Sequence, residues 1–131
     1  MKTELRIKID WADLDLFGHV NNVVFFRYIQ AARVDFCEKA GLTSLDEADK
    51  LSFMVASSQC QFRAPLYYPG EVSVETHCEW AKNSSFMLQY RILKQEHLVA
   101  EGQDVLVLFD HRRKSKVNIN EVLRRALLAG N

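Results

Sequence analysis

Asp13-Leu14-Asp15-Leu16-Phe17-Gly18-His19-Val20-Asn21-Asn22 runs straight on into Val23-Val24-Phe25-Phe26-Arg27-Tyr28-Ile29, and the character of the chain changes at the junction. The first half concentrates two carboxylates, an imidazole, a glycine and two amides, whereas the second half is mostly apolar. Asp, Gly and Asn are residues of turns and helix N-caps, so the first half reads on its own as a strand-to-helix connection. Upstream, Leu5, Ile7, Ile9 and Trp11 alternate with Glu4, Arg6, Lys8 and Asp10, the period of a half-buried strand. Downstream, Phe25, Ile29, Ala32, Phe36 and Ala40 recur at helical spacing, widened by Phe26 and Cys37, and Gly41 is a suitable stop. The spacing predicts a helix from about Asn22 to Ala40, too apolar to lie lightly on a surface.

Beyond the helix, Leu42 to Lys50 is a charged connection with helical character around Ser44 to Ala48. The pattern then turns to period two, with strands expected at Phe53 to Phe62, Glu71 to Trp80, Ser85 to Lys94 and Leu98 to Asp110. Pro65, Pro69 and Gly70 break the chain between the first two, and Lys82-Asn83-Ser84 and Gln95-Glu96-His97 are turns. Ile119, Val122, Leu123, Ala126 and Leu127 return to helical spacing and end near Gly130. Four consecutive strands with short connections imply an antiparallel meander, since parallel neighbours need crossovers. One long helix is left to cover it, so the expected class is α+β, an antiparallel sheet wrapped around a central helix, in a single domain over residues 1–131.

The balance of 17 Lys+Arg against 17 Asp+Glu lacks the basic excess that binding a phosphate backbone needs, which sets nucleic acid aside as a partner. Charges at Lys2, Glu4 and Arg6 interrupt any signal-like run and no later segment approaches a membrane span, so a cytoplasmic protein without membrane contact is expected. Cys37, Cys60 and Cys78 are odd in number and far apart, which fits small buried residues better than a disulfide framework or a thiolate metal site.

Asp15 stands just before the helix, whose first N–H groups lack partners and carry partial positive charge. A carboxylate there is either a cap or one half of a catalytic arrangement. In the second case the N–H groups hold a carbonyl oxygen while the carboxylate addresses its carbon directly or through water. A thioester carbonyl is already activated and would need no metal, serine or cysteine. Asp13 reads as a turn or capping residue, and Asp13, Asp15 and His19 make too sparse a set for a metal cage. Arg33 reads as a buried or interfacial ion-pair partner, and His77, His97 and His111 as isolated solvated residues.

The series Asp13-x-Asp15-x-x-Gly18-His19-Val20-Asn21-Asn22, with Phe25 and Ala32-Arg33 on the helix, resembles the signature of hot-dog fold acyl-CoA thioesterases of the 4-hydroxybenzoyl-CoA thioesterase type. The similarity runs on through Phe62-Arg63-Ala64-Pro65-Leu66, Gly70-Glu71-Val72 and Trp80 to Phe86. The resemblance implies hydrolysis of an acyl-CoA to acid and CoA, with Asp15 as nucleophile or general base and a backbone N–H at Asn22 polarising the carbonyl. His19 would shape the site or hydrogen-bond within it. Phe25 is the apolar residue expected to touch substrate, and Arg63 and Lys82 are expected at the CoA nucleotide. No metal and no cofactor is implied, CoA being part of the substrate. The resemblance also implies a homodimer with sheets paired edge to edge, pairing again into a homotetramer, with Asp15 opposite residues around Ser57 to Gln61 of a second copy. Two departures stand out, Phe25 where relatives often carry Tyr and Glu71 where Asp is common. Hydrolysis of acyl carrier protein thioesters, with Arg112-Arg113-Lys114 as a docking patch, and a non-catalytic acyl-CoA-binding module with Asp15 only a cap are the alternative expectations.

Overall fold

A computed structural model describes residues 1–42 and 52–130. The strands are β1 (Lys2–Lys8), β2 (Ser52–Phe62), β3 (Glu71–Ala81), β4 (Ser85–Lys94), β5 (His97–Asp110) and the short β6 (Ser115–Lys116). The helices are α1 (Asn22–Lys39) and α2 (Glu121–Leu128). All strands join one antiparallel sheet in the order β1-β3-β4-β5-β2, with β6 on β5. The antiparallel sheet and its single long helix are the α+β arrangement expected. The helical character expected around Ser44 to Ala48 lies outside the described residues.

The meander is shorter than its sequence suggests. Only β3, β4 and β5 follow one another, while β1 pairs with β3 and β2 goes to the far edge beside β5. The break at Pro65 and Pro69 is therefore a crossing rather than a turn between neighbours. The connection from β4 to β5 is a two-residue hairpin, with Gln95 and Glu96 at positive φ (49° and 68°), the backbone form whose twist suits paired strands. Bulges between Val55 and Ser57, Cys78 and Trp80, and Ile92 and Leu93 add local twist and bend the strands.

Period two holds where the strands carry the core. Val72, Val74 and Cys78 of β3, Leu88 and Ile92 of β4, and Leu106 and Leu108 of β5 are buried on the face that α1 covers. The helix turns Val24, Phe25, Tyr28, Ile29, Ala32, Phe36 and Cys37 inward, while Phe26 stays 39 % exposed at the stripe's edge. Its close seating depends on Gly102, where an added Cβ would lie 2.6 Å from Ile29 Cδ1 and 3.1 Å from the Gln59 carbonyl. Asn21 caps the helix by accepting from the Val23 N–H. At the other end Gly41 (φ 82°) donates to the Glu38 carbonyl and Leu42 to that of Cys37, a Schellman closure.

Three expectations need correction. Trp11 is 70 % exposed, because β1 stops at Lys8 and Asp10 caps a 3-10 turn over Trp11–Asp13 that ends the alternation. With Asp10 and Asn21 doing the capping, Asp13 instead pairs with Arg27 at 2.5 Å across the start of α1. His77 is not isolated either, its Nε2 lying 2.7 Å from Glu79, and the His111 ring stands edge-on to Phe109. In α2, capped by Asn120, Leu127 is buried but Val122 is 81 % exposed.

Arg33 does form a buried ion pair. Its Nε donates to Asp104 Oδ2 at 2.8 Å, and the Tyr90 hydroxyl donates to the same oxygen at 2.7 Å. Asp104 is fully buried on β5 and its Oδ1 has no hydrogen-bond partner among the described residues. Burial pushes the Tyr90 hydroxyl well above the ordinary phenol range, reinforced by the neighbouring Asp104 charge. The pair ties the middle of α1 to the middle of the sheet.

Candidate active site

The connection from β1 to α1 folds on itself through short-range bonds. Leu14 and Val20 form an antiparallel bridge, the Asp15 N–H donates to the His19 carbonyl at 2.7 Å, and Gly18 takes φ 80° to close the turn. The Asp15 carboxylate stabilises this turn through one oxygen. Its Oδ1 accepts from the Phe17 N–H at 2.9 Å and the His19 N–H at 3.2 Å, while Oδ2 has no hydrogen bond among the described residues. Both readings of Asp15 thus have a physical basis, since one oxygen shapes the backbone and the other is uncommitted.

After the turn the Asn21 N–H donates to the Asp13 carbonyl and its side chain caps Val23. Asn22 is the first residue of α1, and its N–H finds no acceptor among the described residues. The Val20 N–H donates to the Leu66 carbonyl at 2.8 Å, and His19 bridges Tyr67, which brings the segment after β2 against the turn. The His19 ring stands edge-on to the Tyr67 ring at 5.1 Å, so the imidazole is part of a wall. Lys94 holds the other side of that wall, its Nζ donating to the Tyr67 and Pro69 carbonyls at 2.7 Å each.

Between these segments lies an open cleft of about 410 Å³, a volume suited to a small molecule. Asp15, His19 and Asn22 line one part, Phe25, Phe62, Ala64, Pro65 and Leu66 the apolar part, and Arg63 the rim. Five of the six residues singled out in the sequence meet there. Arg63 is held by Glu101, whose carboxylate accepts from both Nε and a terminal nitrogen, and by Gln61. Lys82 is elsewhere. It follows Ala81, in the row Ala81–Phe86–Leu106–Val55 at the opposite end of the sheet from Phe62, and its Nζ lies 4.4 Å from the centre of the Trp80 ring. Phe62, Leu66 and Tyr67 were not singled out individually, although the Phe62-to-Leu66 run carried part of the resemblance.

No three His, Cys, Asp or Glu side chains gather as a metal cage among the described residues. What the cleft offers is a carboxylate oxygen without a partner, an unsatisfied helix N–H and an apolar wall. Such a set can bind and attack an activated carbonyl whose substituent is apolar.

Comparison with known proteins identifies the family of the fold. The family model described as the thioesterase-like superfamily matches residues 9–127. A hypothetical protein of Thermus thermophilus has a similar structure, with 33 % identity, a TM-score of 0.83 and 95 % of each chain covered. A gentisyl-coenzyme A thioesterase is similar at 25 % identity and a TM-score of 0.83, covering 95 % of this chain and 99 % of the other. The long-chain acyl-CoA thioesterase FadM of Escherichia coli is 21 % identical over 126 residues, covering 95 % of this chain and 96 % of that protein.

Proposed function

Because the chain belongs to the thioesterase-like superfamily and is thus a thioester hydrolase by family, we propose that its substrate is an acyl-CoA and that Asp15 carries the reaction. The observation that supports this most is the pairing, along one cleft, of an uncommitted Asp15 oxygen with the unsatisfied N–H of Asn22. The thioester carbonyl oxygen accepts from the Asn22 N–H, which stabilises the negative charge that gathers there as the carbonyl is attacked. Asp15 Oδ2 either attacks the carbonyl carbon, giving an anhydride that water opens, or takes a proton from the attacking water. CoA leaves as the thiolate in both cases and is then protonated. His19 keeps the turn in shape through its backbone, and its ring closes the wall with Tyr67.

Asp15→Asn is a clean test, since the amide oxygen still accepts from Phe17 and His19 while the charge and its nucleophilicity are lost. Turnover of acyl-CoAs, followed by released thiol, falls by about 10²–10⁴-fold, the range for a lost general base. Turnover like that of the parent would remove Asp15 from the reaction, and binding without any turnover in the parent would favour a binding module. The names of the gentisyl-coenzyme A and long-chain acyl-CoA thioesterases support CoA as the carrier.

The same proposal includes a homodimer. β2 pairs only with β5 among the described residues, and Met54 to Gln59 along it are exposed, so an eleven-residue edge is open to a second copy. In such a dimer the resemblance implies residues around Ser57 to Gln61 of one copy opposite the other's Asp15, and antiparallel pairing would turn its Lys82 end toward the other's Phe62 end. A monomeric elution profile at micromolar concentration would exclude this arrangement. Assembly to a tetramer and a cytoplasmic location remain parts of the proposal.

A further inference from the structure

Building on acyl-CoA hydrolysis at this cleft, we infer that the Phe62 ring is the wall that sets how large an acyl group is accepted, and that the parent favours compact apolar or aromatic groups over long chains. Phe62 is the last residue of β2 and faces the helix side of the sheet, opposite the fully buried Ala100. In the single chain it is 45 % exposed and lines the cleft at the β2 edge, beside which a second copy would stand. Its ring is fixed from two directions by α1. The Phe25 ring is 5.3 Å away at 85° and the Phe26 ring 6.5 Å away at 72°, both edge-to-face. The side chain is therefore a preset partition standing between the helix and the sheet edge.

The cleft is divided in chemistry as well as in shape. Asp15, His19 and Asn22 supply its polar end, while Phe25, Phe62 and Leu66 supply an apolar end with no polar side-chain atom. A thioester has the same division, with its carbonyl suited to the first end and its acyl body to the second. Phe25 is 3 % exposed and forms the floor, so an acyl body lying over it runs alongside the Phe62 ring. Removing that ring would open the space between the helix start and β2.

The test compares parent, Phe62→Ala, Phe62→Leu and Phe62→Trp on butyryl-, octanoyl-, palmitoyl- and benzoyl-CoA. Calorimetric binding of the matching non-hydrolysable S-alkyl-CoA thioethers is measured alongside. In the parent, kcat/KM and affinity fall from octanoyl to palmitoyl. Phe62→Ala raises the palmitoyl-to-butyryl ratio by about tenfold or more, the scale of discrimination an apolar pocket achieves. Phe62→Leu gives a smaller rise, and Phe62→Trp lowers the octanoyl-to-butyryl ratio. Leu keeps most of the buried surface and so carries the test if the Ala protein folds poorly. Ratios unmoved in the Leu and Trp proteins, in both turnover and thioether binding, overturn the inference about Phe62 while leaving acyl-CoA hydrolysis standing. A parent that binds none of the thioethers overturns both. Turnover surviving in Asp15→Asn, with thioether ratios still shifting at Phe62, overturns only the assignment of Asp15.

Discussion

Replacing Arg33 by Met would show how strongly the fold depends on the ion pair beneath α1. Asp104 is fully buried, and its Oδ2 receives both the Arg33 Nε at 2.8 Å and the Tyr90 hydroxyl at 2.7 Å, while Oδ1 receives nothing from the described residues. Met fills much of the arginine's stem volume, so the change removes the charge and its hydrogen bond more than it opens a cavity. It leaves a carboxylate in the core with one neutral donor, and breaking a buried pair in this way costs about 3–5 kcal/mol. That is a large part of the roughly 5–15 kcal/mol of stability a domain has, and it lowers Tm by roughly 10–20 °C. The assay is urea unfolding followed by fluorescence of Trp11 and Trp80 in the four proteins of a double-mutant cycle, parent, Arg33→Met, Asp104→Leu and both. Each single change leaves a lone charge or an unpaired guanidinium, whereas the double variant removes both charges, leaves the buried Tyr90 hydroxyl without its acceptor, and so recovers part of the loss. The arginine is 13 % exposed at its side chain and can relax toward water, so Asp104→Leu costs less than Arg33→Met. A loss under about 1 kcal/mol for Arg33→Met, within the range of ordinary surface changes and their error, would refute the reasoning.

Gly102→Ala places a methyl 2.6 Å from Ile29 Cδ1 and 3.1 Å from the Gln59 carbonyl, so it lowers stability by about 1–3 kcal/mol in the same urea assay. Ile29→Val, which deletes that Cδ1, recovers part of the loss in the Gly102→Ala background, and equal stability of parent and Gly102→Ala would refute the contact. Burial pushes the Cys37 thiol up to about 12, the Cys78 thiol to about 11 and the Tyr28 hydroxyl to about 12. Each raised value means that the folded state keeps protons the unfolded chain has shed. Their contribution is therefore complete below about pH 8.5 and drains away between about pH 9 and 12, at up to about 1.4 kcal/mol per pH unit for each group. Urea midpoints measured across that range under reducing conditions fall steeply in the parent and less steeply in Cys37→Ala, and a flat profile to roughly pH 11 would contradict the linkage.

The parts of the fold legible in the sequence are those that local periodicity writes directly. The α1 stripe, the alternation of β3 and the cap residues before the helix answer to neighbours a few positions away, and so does the turn that carries Asp15. The strand order answers to nothing local. Whether β2 lies beside β3 or crosses to β5 depends on which edges meet, and Pro65 and Pro69 mark a break without saying where the chain goes next. Trp11 departs from the strand pattern because the alternation continues in sequence after Asp10 has already turned the backbone. Period two puts Asp104 in one row with Ala100, Leu106 and Leu108, all buried. A carboxylate in a core row is itself a sign of a hidden cation, and Arg33 was the available one. Asp15, His19, Asn22 and Phe25 meet because they lie close together in the chain, whereas Arg63 and Lys82 are both expected from the resemblance alone and only Arg63 reaches the cleft of the same chain.

The turn around Asp15 also bears on how the molecule comes to have a cleft at all. Every bond that shapes it spans only a few residues, from Asp15 to Phe17, to Gly18 and to His19. Closing loops of that size costs little entropy, so this part can order early and at small expense. The opposite wall reaches it only when the Leu66 carbonyl arrives to accept from Val20, after the whole of α1 and β2 has intervened. The Asp15 turn is thus held by its own neighbourhood, whereas the cleft around it needs segments far along the chain.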